Sequence, residues 1–416
     1  MSINAANIST GQAIKRITRF CAGMLSLQAK QIEENATQIV RPMSLYLEGE
    51  PGVGKSAIPK AVAKALGYHL VDIRANMCNP DDAGGTRMQD LDTGITRWFA
   101  PYWMPPVDGK IIDENGLTYD GKQFPAGTQF KGVVLFFDEL ASADDRVRKP
   151  LFGAFLDREL NGRDFPPNTL VFAGGNEAET GTMVFELDNA TRTRFVTYRI
   201  IADFDSWITD YAGHAGITPT VAAYLKSNIG HFCMTEQAIQ NNLPIYPNPR
   251  SWEHLSNAER ALMQSEEDRK DPDVREALED AACGKVGQEI GLNFMAMFDI
   301  VSSMSTLYDI LKASRDKRSQ MWPKSLGQLY ALTYSMMNYP TNPDMADEIF
   351  KLMDEFPKST SEIPFEEMKA PMTEVIYQRM KTLGFTTKDM ERFRERTKEV
   401  TKDMLSGPLI KIGGAR

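Results

Sequence analysis

Cysteine is scarce, with Cys21, Cys78, Cys233 and Cys283 the only four in 416 residues. They lie far apart with no C-x-x-C, and His69, His214, His231 and His254 stand at no ligand spacing from them. Neither a disulfide framework nor a zinc site is expected; the thiols read as buried or half-buried groups in a reducing compartment. A basic excess is missing as well. The formal net charge of -9 gives no sign of a general affinity for phosphate backbones or anionic membranes. No run approaches the ~18 apolar residues of a membrane span, and Met1-Ser2-Ile3-Asn4 lacks the basic-then-apolar plan of a signal peptide. The expectation is a cytoplasmic protein with no membrane partner. Internal repeats and low-complexity segments are absent too, while 42% hydrophobic and 25% charged residues are the proportions of a globular chain long enough for two domains.

What is present is organised around Gly49-Glu50-Pro51-Gly52-Val53-Gly54-Lys55-Ser56, which has the spacing G-x-x-x-x-G-K-[ST]. Met43 to Leu47 before it reads as a short buried strand, and Ala57 to Leu66 after it as a helix. Glycines let the chain turn so that successive backbone N–H groups face phosphate oxygens, and the helix start adds partial positive charge. Lys55 would reach the β- and γ-phosphates, and Ser56 would offer its hydroxyl to Mg²⁺. Gly49, Pro51, Gly52, Val53, Gly54, Lys55, Ser56 and Ala57 are therefore the candidate nucleotide-binding residues. The competing reading is a glycine turn that binds nothing, and residues downstream decide between them.

The first of these is Val133-Val134-Leu135-Phe136-Phe137, an unbroken apolar run that suits a central parallel strand buried on both faces. It ends in Asp138-Glu139, at the carboxyl end where open α/β sheets bind ligands. Asp138 would hold Mg²⁺ with Ser56, and Glu139 would orient and polarise the attacking water; two helix-capping carboxylates are the alternative. Thr169 to Ala173 is a further strand, followed by Gly174-Gly175-Asn176. Asn176 could hold the lytic water or the γ-phosphate, or simply form a turn. Arg192 and Arg194 precede a fifth strand, Val196 to Ile200, and Arg250 opens a helix. Each can neutralise charge on a γ-phosphate or form a surface ion pair.

Elsewhere, helical spacing over residues 11 to 34 predicts an amphipathic helix that packs on the nucleotide domain or on a neighbouring subunit. His69 to Ile73 reads as a second strand, Asn79 to Asp82 as a turn capping a helix, and Asp144 to Leu160 as a helix. Hairpins are expected between Gly84 and Trp98, within Asp113 to Gly127, and around Asn161-Gly162. Beyond Ala202 the pattern changes to helices joined by proline turns. The tail, residues 369 to 416, holds 11 Lys/Arg against 6 Asp/Glu; it reads as a solvated helix face or as a contact for nucleic acid or an acidic neighbour.

Together these pieces resemble the AAA+ ATPases, specifically the MoxR-like branch near magnesium-chelatase and dynein-type modules, over about residues 40 to 310. By that resemblance Gly49 to Ser56 is Walker A, Val133 to Glu139 is Walker B, and Asn176 is sensor 1. Arg194 looks like the arginine finger, with Arg192 competing for the role, and Arg250 like sensor 2. The hairpins near Gly84 to Trp98 and Asn161-Gly162 resemble the helix-2 insert and the pre-sensor-1 hairpin. The resemblance implies an α/β fold: a three-layer αβα P-loop NTPase domain with a parallel sheet over 41–204, preceded by an N-terminal helix over 1–40. An all-α lid over 205–312 and a helical C-terminal extension over 313–416 would follow. It further implies ATP and Mg²⁺ as cofactors, a homo-oligomeric ring, usually a hexamer, and a finger supplied by the next subunit. The leading expectation is a remodelling ATPase acting on protein, with a von Willebrand-type partner or a protein substrate. The alternatives are a nucleic-acid motor, which the acidic bulk disfavours, and an ATP-gated assembly protein with little turnover.

Overall fold

The computed structural model describes residues 7–89, 91–106, 117–120, 122–125, 127–176, 193–265, 267–386, 388–389, 391 and 393. Two compact units form: the first takes residues up to 207 with 235–244 and 248–250, the second 208–234, 245–247 and the chain from 251 onward. In the first unit the strands are β1 (Asn7–Ser9), β2 (Ser44–Gly49), β3 (His69–Arg74), β4 (Thr86–Gln89), β5 (Thr96–Phe99) and β6 (Leu117–Tyr119). They continue with β7 (Lys122–Phe124), β8 (Val133–Asp138), β9 (Glu159–Leu160), β10 (Arg163–Asp164), β11 (Thr169–Gly175) and β12 (Phe195–Ile201). The helices used below are α1 (Thr10–Glu33), α2 (Ala57–Leu66), α3 (Pro80–Gly84) and α4 (Asp145–Leu156).

Six strands make one sheet in the order β1-β12-β2-β11-β8-β3, and every pairing in it is parallel. Because strand side chains alternate between faces, the apolar run of β8 feeds two cores. Val134 and Phe136 pack with Ala13, Ile17 and Cys21 of α1 and Ile58 and Val62 of α2. Val133, Leu135 and Phe137 pack on the other face with Ala83 of α3 and Val147, Leu151 and Phe155 of α4. Helices on both faces of a parallel sheet give the three αβα layers, and α1 is seen to lie over the loop-bearing helix α2.

Helix ends follow local chemistry. Ser9 caps α1 by accepting from the Gln12 N–H, Asn79 and Asp82 form a capping box on α3, and Gly67 closes α2 at φ 69°. Helix α4 stops at Leu156, short of the expected Leu160, because Arg158 turns left-handed at φ 58° to start the β9–β10 hairpin. That hairpin has both Asn161 (φ 52°) and Gly162 (φ 77°) in the left-handed region, as a two-residue type I′ turn requires. β4 pairs with β5 and β6 with β7, both antiparallel. Strand β1 has no counterpart among the sequence expectations; three residues are too few for a periodic signal, and only its pairing with β12 defines it.

The described part of the second unit is helical. Tyr224, Trp252 and Phe294 bring their rings together, with centroids 5.4 to 6.4 Å apart. Glu259 is buried and accepts from the hydroxyls of Thr218 and Thr220; burial raises its pKa, opposed by those two bonds and by Arg269. A further core gathers Leu307, Leu329, Leu332, Ile349, Met372 and Ile376. Among the described residues one helical run, Gln288–Lys312, is long and apolar enough to cross a membrane by length and composition. It is in fact two helices, Gln288–Ser302 and Leu307–Lys312. The longer one rises about 22 Å against a hydrocarbon core of ~30 Å, and its Phe294, Met295 and Phe298 are buried in protein.

Candidate active site

The loop from Gly49 to Ser56 joins the end of β2 to the start of α2. Gly52 and Gly54 take φ 83° and 95°, a region that L side chains rarely adopt. Gly49 is required for another reason, since a Cβ there would stand 2.3 Å from the Ile200 carbonyl oxygen of β12. Val53 is buried in the α1–α2 core and anchors the loop, while the Ala57 N–H returns to the Gly54 carbonyl at 3.0 Å as α2 begins. Lys55 is only 8% exposed. Its ammonium donates to the Gly49 and Glu50 carbonyls, each at 2.8 Å, and to Asn176 Oδ1 at 2.9 Å.

Parallel pairing brings the carboxyl ends of β2, β11 and β8 to one edge, and with them the residues that follow. Asp138, 6% exposed, accepts from the Ser56 hydroxyl at 3.0 Å through Oδ2 and from the Glu139 N–H at 3.0 Å through Oδ1. Gly174 of β11 makes room for that carboxylate, since a Cβ there would lie 3.1 Å from Asp138 Oδ1. Glu139 is left-handed at φ 57°, ψ 33°, and the Asn76 amide donates to its Oε2. The charge of Asp138 reaches β3, where burial first and that carboxylate second raise the pKa of Asp72. Lys55, Ser56, Asp138 and Asn176 are thus joined in two direct bonds, with Glu139 the next residue along.

The arginines divide. Asn248 and Arg250, both in the first unit, lie against the loop: a Cβ on Gly52 would meet Asn248 Oδ1 at 2.7 Å and Arg250 Cβ at 3.5 Å. Arg194 is elsewhere. It precedes β12, whose Phe195 pairs with Ser44 and Ile200 with Gly49, so it lies roughly 17 Å of strand away from the loop. Its guanidinium sits over the Phe152 ring of α4 at 5.1 Å. Arg192 lies outside the described residues, as do Asp113 to Gly116 of the insertion and the tail from 394. Sequence reasoning missed Asn76 and Thr10, whose hydroxyl donates to the Val53 carbonyl at 2.7 Å. The Ser9-Thr10 pair at the start of α1 was the one signal available for Thr10; Asn76, in a short 3-10 turn after β3, offered none.

The donor set suits Mg²⁺. Ser56 Oγ and Asp138 Oδ2 are hard oxygens already within 3.0 Å of each other, and Mg²⁺ takes one or two protein ligands and completes its shell from water and phosphate. Among the described residues no group of three or more His, Cys, Asp or Glu could hold a metal, so a dedicated all-protein cage is not formed there.

A strand–glycine loop–helix unit on a parallel αβα sheet, with a Ser, an Asp-Glu pair and an Asn at adjacent strand ends, defines a P-loop NTPase fold of the AAA type. Residues 45–199 match the family AAA, ATPase family associated with various cellular activities. No curated protein matches the chain. Among solved structures, it is similar to Thermotoga maritima RuvB P216G mutant at 17% identity and TM-score 0.31, covering 77% of this chain and 82% of that one. The Thermotoga maritima RuvB Holliday junction branch migration motor follows at 16% and 0.31, covering 77% and 87%. A conjectured ATPase from Cytophaga hutchinsonii is 13% identical at TM-score 0.27, covering 69% and 94%.

Proposed function

We propose that this chain is a Mg²⁺-dependent, ring-forming ATPase of the MoxR-like kind that turns ATP hydrolysis into conformational work on a protein partner. The observation that carries the ATPase reading is the convergence of Lys55 on Asn176 and of Ser56 on Asp138 at the ends of adjacent parallel strands. On this reading the loop N–H groups and the Lys55 ammonium bind the triphosphate, exchanging carbonyl partners for phosphate oxygens. Ser56 and Asp138 would hold Mg²⁺, which supplies charge neutralisation at the phosphates when bound. Glu139 orients the attacking water and polarises it, Asn176 fixes the water or the γ-phosphate, and Arg250, beside Gly52, adds a cation from the same chain. Arg194 is too far along β12 to serve its own loop, which favours supply of a guanidinium to a neighbouring copy.

Support for a protein partner comes from the β4–β5 hairpin and the turn between its strands, where Met88, Leu91, Ile95 and Phe99 are each more than half exposed. Apolar side chains held outward suit a polypeptide better than a polyphosphate chain. In this scheme the extension (313–416) and most of the lid (205–312) belong to the second unit, while 205–207, 235–244 and 248–250 belong to the first. The test is a pair of substitutions. Lys55→Ala is expected to abolish ATP binding, and Glu139→Gln to retain binding while lowering kcat at least about 100-fold. Wild-type turnover by Glu139→Gln would refute the site. Recovery of bound protein with the Glu139→Gln trap supports the remodelling role, and DNA-stimulated, salt-sensitive turnover would replace it with a nucleic-acid motor.

A further inference from the structure

Thr10 stands at the start of α1, far in sequence from the glycine loop, yet its hydroxyl donates to the Val53 carbonyl at 2.7 Å. Val53 lies between Gly52 and Gly54, both in the left-handed region. Glycine on both sides leaves little steric resistance to rotation of the intervening peptides. A trans peptide is planar, with its C=O and N–H pointing in opposite directions. A bond that fixes the direction of the Val53 carbonyl therefore also fixes the direction of the Gly54 N–H. With the carbonyl held toward Thr10, that N–H is turned to the other side of the loop; were the unit reversed, an oxygen dipole would replace a donor.

The anchoring of Thr10 is itself built. The preceding Ser9 accepts from the Gln12 N–H and donates to Ser206 Oγ at 2.8 Å. Strand β1 pairs with β12 from Asn7↔Arg199 to Ser9↔Ile201, and Ala13 and Ile17, about one and two turns on, are buried with Val53 in one core. The approach is close: a Cβ on Gly54 would come within 3.2 Å of Thr10 Oγ1. The segment is thus fixed on three sides before it reaches the loop.

We propose that Thr10 is a positioning residue for phosphate capture, holding the Val53–Gly54 peptide so that the Gly54 N–H faces the phosphates. The inference rests on the nucleotide reading of the loop. Thr10→Val keeps the shape and removes the hydroxyl; it is expected to weaken ATP and ADP binding about five- to tenfold, the worth of one hydrogen bond. KM should rise in proportion while kcat stays within about twofold, because Glu139 and Asn176 are untouched. Thr10→Ser, which keeps the donor, is expected to restore affinity to within about twofold of wild type. Equilibrium titration with ATP and with ADP, steady-state kinetics and thermal melts on the full chain read all of this. Wild-type affinity in Thr10→Val overturns the proposal, and so does a lowered melting temperature with affinity unchanged, which is a purely structural role. Lys55→Ala is titrated alongside. If it loses binding while Thr10→Val does not, only the role of Thr10 fails; if it binds as wild type does, the nucleotide reading fails and this inference with it.

Discussion

Glu139 holds its backbone at φ 57°, ψ 33°, a conformation uncommon for a side-chain-bearing residue and concentrated at functional positions. Its N–H is tied to Asp138 Oδ1 and its carboxylate to the Asn76 amide, so both ends of the residue are fixed by polar partners. On the proposed mechanism Asn76 keeps the carboxylate in one orientation. Asn76→Ala is expected to lower kcat about two- to tenfold at saturating ATP, with ATP affinity and melting temperature near wild type; an unchanged or higher kcat in steady-state assays would show that Asn76 does not position Glu139. The donor–acceptor pairing was not legible in the sequence. Asn76 and Glu139 meet because β3 and β8 are neighbours in register, with Arg74 opposite Asp138, and register is a property of the folded sheet.

At the scale of elements, the parallel strands were readable because an unbroken apolar run such as Val133 to Phe137 has few other places to go, and the loop because its glycines answer to backbone geometry rather than to neighbours. Short pieces were not: β1 is three residues held by one partner. The β6–β7 hairpin shows how an insertion is fastened to this sheet. His69 of β3 bonds Asp120 at 3.1 Å, with Lys122 Nζ 3.5 Å from the same carboxylate and the rings of Tyr119, Phe124 and Phe130 around the imidazole. Burial lowers the His69 pKa, with Lys122 acting the same way and Asp120 opposing. The unfolded chain, with an imidazole near 6.5, then takes up the proton more readily than the folded one. This contribution to stability is full above that value and is lost as pH falls through it toward the folded pKa. The advantage of the wild type over His69→Gln in melting temperature is expected to shrink as pH drops below about 6.5; an advantage that grows on acidification would reverse the assignment.

For the whole molecule, the placement of Arg194 carries the argument for assembly. It lies at the amino end of β12 and stacks on Phe152, at the opposite end of the strand from the loop. On the ring proposal Arg194→Ala assembles with ATP as the wild type does, yet loses turnover about 1,000-fold, the scale of a finger arginine. Native mass measurement beside an ATPase assay checks both halves, and normal turnover would leave Arg192 as the candidate. Sequence could point to an arginine in an Ala-x-x-x-Arg-Phe setting but could not say how far it stands from its own loop, because that depends on the pairing of Phe195 with Ser44. The pairing of β12 with β1 has a consequence for biosynthesis. Asn7 to Ser9 leave the ribosome well before their partner strand, whose last paired residue is Ile201. At about 5–20 residues per second, the first strand waits roughly ten to forty seconds for a place to dock. In a nascent chain Thr10 thus gains the support of β1 only once Ile201 has been made, and on the nucleotide reading phosphate capture matures no earlier.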